Sequence, residues 1–296
     1  MNRNCFAKLI IYSSAISSEE IEKKLNLKGN FRKNYGETII DNKTGNIFLI
    51  KDPWIFTTEN IFSTKEKGEC FDQHLEFIFT ALKQSKDALI SLQEQEIKIE
   101  LHLVYLTEVN GLGGPSLTRK QQKKITEFNL DVIFDILFLY TGENISEDRI
   151  LNVDANNYDT CYESFIELRI AGENLNPSAI SRKLCLNPTK SAETGEVRIS
   201  KRGISMPPVK KGFWEISTNK LIKSNNLSDH LDWLIRHYTD FKKEYEELQS
   251  KGLDLTLTCL WESKRGYGGP CISNRQMQLL KKMNLHCDFS FHFFAD

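Results

Sequence analysis

The stretch Gly111–Phe138, GLGGPSLTRKQQKKITEFNLDVIFDILF, returns as Gly266–Phe293, GYGGPCISNRQMQLLKKMNLHCDFSFHF. Each passage holds a GxGGP turn, a helix start and a closing strand, so the chain reads as two copies of one module. Working outward, the same order recurs at an offset of about 155 to 160 residues. Ile21, Leu25 and Leu27 fall on Ile180, Leu184 and Leu186, and Gly36-Glu37 on Gly195-Glu196. Trp54 falls on Trp214, and His74-Leu75 on His230-Leu231.

Within each copy, FAKLIIYS and FIELRIAG read as opening strands, followed by a short helix that begins at Ser17 or Asn176. A long loop leads to the tryptophan strand. The next helix carries Leu75, Ile78, Phe79 and Leu82, or Leu231, Leu234, Ile235 and Tyr238, at i, i+3, i+4, i+7, one apolar stripe for a sheet. IKIELHLVYL and LDLTLTCLW then alternate as strands with one covered face. In the last strand Leu285, Cys287, Phe289, Phe291 and Phe293 point one way, and His286, Asp288, Ser290 and His292 the other. The expectation is an α+β fold: two tandem β-α-β-α-β-α-β modules of ferredoxin-like character, mainly antiparallel, with helices on one face. Residues 1–140 form the first, 162–296 the second, and the acidic stretch 141–161, which has no counterpart in the repeat, the linker.

These anchors resemble a bacterial domain of unknown function, DUF4279: an opening strand, a helix ending in a Leu-x-Leu-x-Pro-Thr run, a Gly-Glu pair, a tryptophan strand, and a closing helix and strand. Copy two fits through LCLNPTKSAETGE, Leu184 to Glu196, and then Trp214; copy one departs, with Lys28-Gly29 where the family shows Pro-Thr. Small bacterial proteins similar to this one lie near toxin or defence genes, so the resemblance implies a stoichiometric binder of the immunity-protein kind.

Charge narrows the partners. With 39 Lys+Arg against 40 Asp+Glu, no whole-molecule field draws the chain to nucleic acid or an anionic membrane. No apolar run reaches bilayer length, and the amino terminus reads as a first strand. Seven scattered cysteines without a CxxC pair fit reduced thiols in a cytoplasm, and neither a disulfide framework nor a zinc site is expected.

Catalytic and metal patterns do not emerge. His102, His286 and His292 lack metal-ligand spacing; Asp131 and Asp135 become His286 and Ser290 in copy two; Cys271 follows a GxGGP turn but is Ser116 in copy one. No cofactor is expected. His74, His230, Trp54 and Trp214 read as frame, because both copies have them. The turn glycines Gly113, Gly114, Gly268 and Gly269 read mainly as tight turns, with Ser116 or Thr118 and Ser273 or Asn274 as helix caps; the alternative is an anion cradle for a nucleotide-like or phosphorylated ligand.

The strongest asymmetry is the loop before the tryptophan strand. From Asn187 to Gly212, copy two carries Lys190, Arg198, Lys201, Arg202, Lys210 and Lys211 against Glu193 and Glu196, a local excess of four positive charges. Copy one instead offers the aromatics Phe31, Tyr35 and Phe48. Such loops suit recognition of a protein, with Lys201, Arg202, Lys210, Lys211, Phe31 and Tyr35 as the expected contacts, and a toxin or effector as the expected partner. An enzyme of unrecognised class is the last alternative.

Overall fold

The computed structural model describes residues 5–13, 15–30, 38–40, 47–49, 53–59, 61–62, 71–109, 113–139, 160–200 and 202–294. The first copy runs β1 (Cys5–Tyr12), α1 (Ser18–Leu25), the small hairpin β2 (Thr38–Ile40) and β3 (Ile47–Leu49), then β4 (Trp54–Thr57). It continues with α2 (Asp72–Leu82), α3 (Lys86–Glu94), β5 (Lys98–Glu108), β6 (Ser116–Leu117), α4 (Arg119–Glu127) and β7 (Asp131–Leu139). The second runs β8 (Cys161–Gly172), α5 (Pro177–Leu184), β9 (Lys190–Ala192), β10 (Gly212–Ser217), α6 (Leu227–Asp240) and α7 (Lys242–Ser250). It closes with β11 (Asp254–Ser263), β12 (Tyr267–Gly268), β13 (Cys271–Ile272), α8 (Asn274–Lys282) and β14 (His286–His292). This is the α+β duplication that the sequence announces. The strand β8 opens at Cys161, one residue inside the stretch 141–161 expected as linker, and that side chain is buried.

The helix starts follow local chemistry. Ser17 with Glu20, Thr118 with Gln121 and Ser273 with Gln276 form capping boxes, and Asn176 caps α5 through the Ala179 N–H. Both short helices stop on a left-handed residue, Asn26 or Cys185. The long helix of each copy divides in two, at Lys83–Ser85 in the first and at Phe241 in the second. Its apolar stripe is buried as the spacing predicts.

In both copies the opening strand is central. β4 and β5 flank β1 antiparallel, and β7 runs parallel to β5; β10 and β11 flank β8 antiparallel, and β14 runs parallel to β11. One residue in each copy ties the preceding loop to the tryptophan strand, beside β9, which pairs with β10 in the second copy. Asn30 and Thr189 each donate an N–H to this strand, to the Ile55 and Glu215 carbonyls, and each accepts one back through a side-chain oxygen, from Thr57 or Ser217. Gly29-Asn30, and not Lys28-Gly29, is thus the counterpart of Pro188-Thr189, in step with Leu25 and Leu27 on Leu184 and Leu186. Asn30 keeps Thr189's hydrogen bonds, and Gly29 lies against Trp54 and the Ile55 carbonyl where a side chain would crowd them.

The two modules exchange their GxGGP arms. β12 and β13, from the second copy, lie antiparallel on β7 of the first; β6, from the first, lies antiparallel on β14 of the second. The bonds are matched: Phe134 N–H donates to the Pro270 carbonyl at 3.0 Å, and Phe289 N–H to the Pro115 carbonyl at 2.9 Å. Phe134 and Phe289 meet with ring centroids 4.3 Å apart, and Phe291 packs against both. One buried apolar cluster therefore runs from Leu9, Leu75 and Leu101 through these rings to Leu168, Leu231 and Leu257. The two repeats share a core.

Candidate functional site

Motifs common to both copies turn out to hold the frame. Trp54 and Trp214 are buried. His74 and His230 are fully buried pins: each places Nδ1 2.7 Å from a threonine hydroxyl, Thr58 or Thr218, and that hydroxyl accepts from the Ala7 or Ile166 N–H of the opening strand. Helix, tryptophan strand and opening strand are thereby tied at one point.

The turn glycines serve close approach. A Cβ on Gly269 would stand 1.8 Å from the Phe134 carbonyl oxygen, and one on Gly114 2.5 Å from that of Phe289. Gly113 and Gly268 lie in the same arms with positive φ. The helix starts behind the arms already have partners: the first N–H of α8, on Asn274, donates to the Asp131 carboxylate at 2.6 Å, and Thr118 and Ser273 cap their own helices.

The copies differ on the sheet faces turned away from the helices. On the first sheet, β5 alternation places Lys98, Glu100 and His102 on this far face, and parallel pairing brings Asp135 of β7 alongside. His102 Nδ1 lies 2.9 Å from Asp135 Oδ2 and Nε2 3.2 Å from Glu100 Oε2, while Lys98 Nζ lies 2.6 Å from Glu100 Oε1. Burial alone would push the imidazole down, but the adjoining Asp135 and Glu100 carboxylates outweigh it and raise His102 to about 9. Burial likewise opposes ionisation of Glu100, and His102 with Lys98 overturns it, so its carboxyl is held below the usual range. The cluster is a buried cation between two carboxylates, beside the apolar patch of Phe6, Val104, Leu106 and Leu137 on which Tyr267 of the exchanged arm rests. Register puts Thr256, Thr258 and Ser290 at the matching positions of the second sheet. Its far face is half-exposed and polar, with His286 3.1 Å from Asp288 and Ser290 2.9 Å from His292. The histidines do not gather: His102 lies on one sheet, and His286 and His292 on the other. Among the described residues no cluster of metal-binding side chains forms.

The other asymmetry is the basic loop, which is a structured arm. Gly195 N–H donates to the Val209 carbonyl, Val209 N–H to Glu196, Met206 N–H to Arg198 and Ser200 N–H to Ile204, closing a hairpin at Ser200–Gly203. Val197, Ile199, Ile204 and Met206 are 55%, 73%, 61% and 44% exposed, so the hairpin carries apolar side chains into solvent. Its base is anchored by Phe213, whose ring has the Arg169 guanidinium 4.1 Å from its centroid and that of Arg198 5.4 Å away. Arg202 and Lys210 are exposed beside the apolar residues, and Lys211 lies 3.4 Å from Asp254. Lys201, Phe31 and Tyr35 lie outside the described residues.

Two features escape a residue-by-residue reading. Lys98, Glu100 and His102 recur at a spacing of two in a strand, and Val197-Arg198-Ile199 with Ile204-Ser205-Met206 alternate around a Gly-containing turn. Both are period-two signals. Among the described residues no helix is long and apolar enough to cross a membrane.

No curated protein and no solved structure matches the chain. A family profile does: the domain of unknown function DUF4279 matches twice, over residues 3–139 and 159–294. Those bounds frame the two halves that exchange arms, and the chain belongs to the DUF4279 family as a tandem pair.

Proposed function

We propose that this chain is a non-enzymatic protein-binding module, an immunity-type inhibitor or defence-associated binder that occludes a bacterial toxin or effector in the cytoplasm. The observation that carries the reading is the hairpin arm, where exposed Val197, Ile199, Ile204 and Met206 stand among Arg198, Arg202, Lys210 and Lys211. Contiguous exposed apolar groups with a charged rim mark interaction surfaces. The partner that fits is an acidic protein surface with an apolar patch: the cations steer the encounter and fix register, and the apolar side chains supply the desolvated centre. Rigid anchoring through Phe213 reduces the ordering cost on binding. Occlusion in this form needs no turnover.

The test is complex formation with the purified product of the neighbouring gene, followed by size-exclusion chromatography. A stoichiometric complex is expected, weakened at least tenfold by R202E/K210E/K211E and again by V197D/I199D, with no change in the melting temperature of the free protein. A complex indifferent to both sets, or turnover of a substrate by the purified chain, defeats the reading.

A further inference from the structure

We propose that the closing strand with its GxGGP arm is a homotypic docking surface whose partner is a second copy of the same module, so that the linker is dispensable for holding the two halves together. Three independent observations support this. First, the contacts are reciprocal: β12 and β13 complete the edge of β7, and β6 completes the edge of β14, through equivalent carbonyls of Pro270 and Pro115. Further bonds run in each direction at non-equivalent positions, from Phe138 N–H to the Gly266 carbonyl and from Phe291 N–H to the Gly113 carbonyl. Edge strands left unpaired are sites of association, and here each copy supplies the cover for the other.

Second, the junction has the character of an interior. Phe134, Phe289 and Phe291 are buried in contact across it, and the apolar cluster is continuous through it. Interfaces that resemble a core cut in half belong to obligate pairs. Third, the arms are shaped for this contact: Gly269 and Gly114 have no room for a Cβ because the opposite closing strand's carbonyl occupies the space. These are isologous contacts, in which the same patch is used on both sides, as in a twofold dimer. The geometry thus describes a dimer of modules written into one chain, independently of any role for the basic arm.

The experiment uses the full chain with a specific protease site inserted within residues 142–158. The protein is folded, cut, and analysed at about 1 µM by size-exclusion chromatography and native mass spectrometry, a concentration at which only a tight pair persists. The halves are expected to co-elute at the volume of the uncut chain and to unfold together in one transition. Elution as two separate folded halves overturns the proposal, as does aggregation of the cut protein, since either makes the linker essential. As a second measurement, G269V is introduced into the cuttable chain: the cut halves should then separate at least tenfold more readily, and if the variant fails to fold uncut, the unmutated cut protein decides the matter.

Discussion

Replacing His102 with leucine should be among the most damaging single changes available in this chain, and replacing its two partners as well should undo most of the damage. Glu100 and Asp135 both face the imidazole from within the protein, at 3.2 and 2.9 Å. Removing the imidazolium leaves Asp135 without the cation that faces it and Glu100 with Lys98 as its remaining cation in the cluster. Breaking a buried ion pair from one side costs about 3–5 kcal/mol, whereas exchanging the whole set for apolar side chains of similar volume is close to neutral or stabilising. H102L should therefore lose about 3–5 kcal/mol, and E100M/H102L/D135L should return to within about 2 kcal/mol of the parent.

The same cluster fixes a pH signature. His102 titrates at about 9 in the fold against 6.5 in the unfolded chain, so its contribution is fully present below pH 6.5 and is lost as pH rises through 9. The shift corresponds to roughly 3 kcal/mol. Urea unfolding of the parent and the triple variant at pH 6, 7, 8 and 9.5 measures it as the difference between the two proteins. Cys259 and Cys287 are also held above the ordinary thiol value by burial and remove stability at alkaline pH, but they do so in both proteins and cancel. A parent-minus-triple difference that stays flat across this range, or a triple variant as unstable as H102L, would refute the ion lock.

Two further changes probe the frame. T218V should cost about 2–3 kcal/mol by urea unfolding, because it strips a partner from His230 and from the Ile166 N–H together, and T58V should do the same in the first copy; a loss below about 0.5 kcal/mol in both would remove the pin. G269V should lower stability by more than about 3 kcal/mol, since a side chain there meets the backbone carbonyl of Phe134, while G195A, in open space at positive φ, should cost only about 1–2 kcal/mol; equal melting temperatures would show that the arm is not tightly packed.

How much of this was legible depends on the range of the interaction. Periodicity marks the apolar stripe of α2 and α6 and the dry face of β14, because burial on one side imposes a spacing that a single segment displays. Caps are local too, and the choice between Ser116 and Thr118 is settled by Gln121 three residues beyond Thr118. Arm exchange is invisible at that range. Gly114 and Gly269 look like turn glycines from their neighbours alone, and only pairing with the opposite closing strand reveals why no other residue fits. His102 and Asp135 likewise stand far apart in sequence and meet only because β5 and β7 run parallel, a strand order that alternation does not specify.

The duplication separates these cases on physical grounds. A residue kept at the same place in both copies answers a requirement present twice: the threonine–histidine pin, the buried tryptophan, the glycine pressed against a carbonyl. A residue that differs answers a local environment. On the first sheet His102, Glu100 and Asp135 are buried on the far face, and their charges are paired with one another and with Lys98. On the second, the corresponding face is half-exposed and water solvates the polar groups directly, so threonine and serine suffice. The hairpin arm fits neither rule. Its exposed Val197, Ile199, Ile204 and Met206 neither build the core nor gain from water, and this concentration of apolar side chains on one arm is the observation on which the proposed binding role rests.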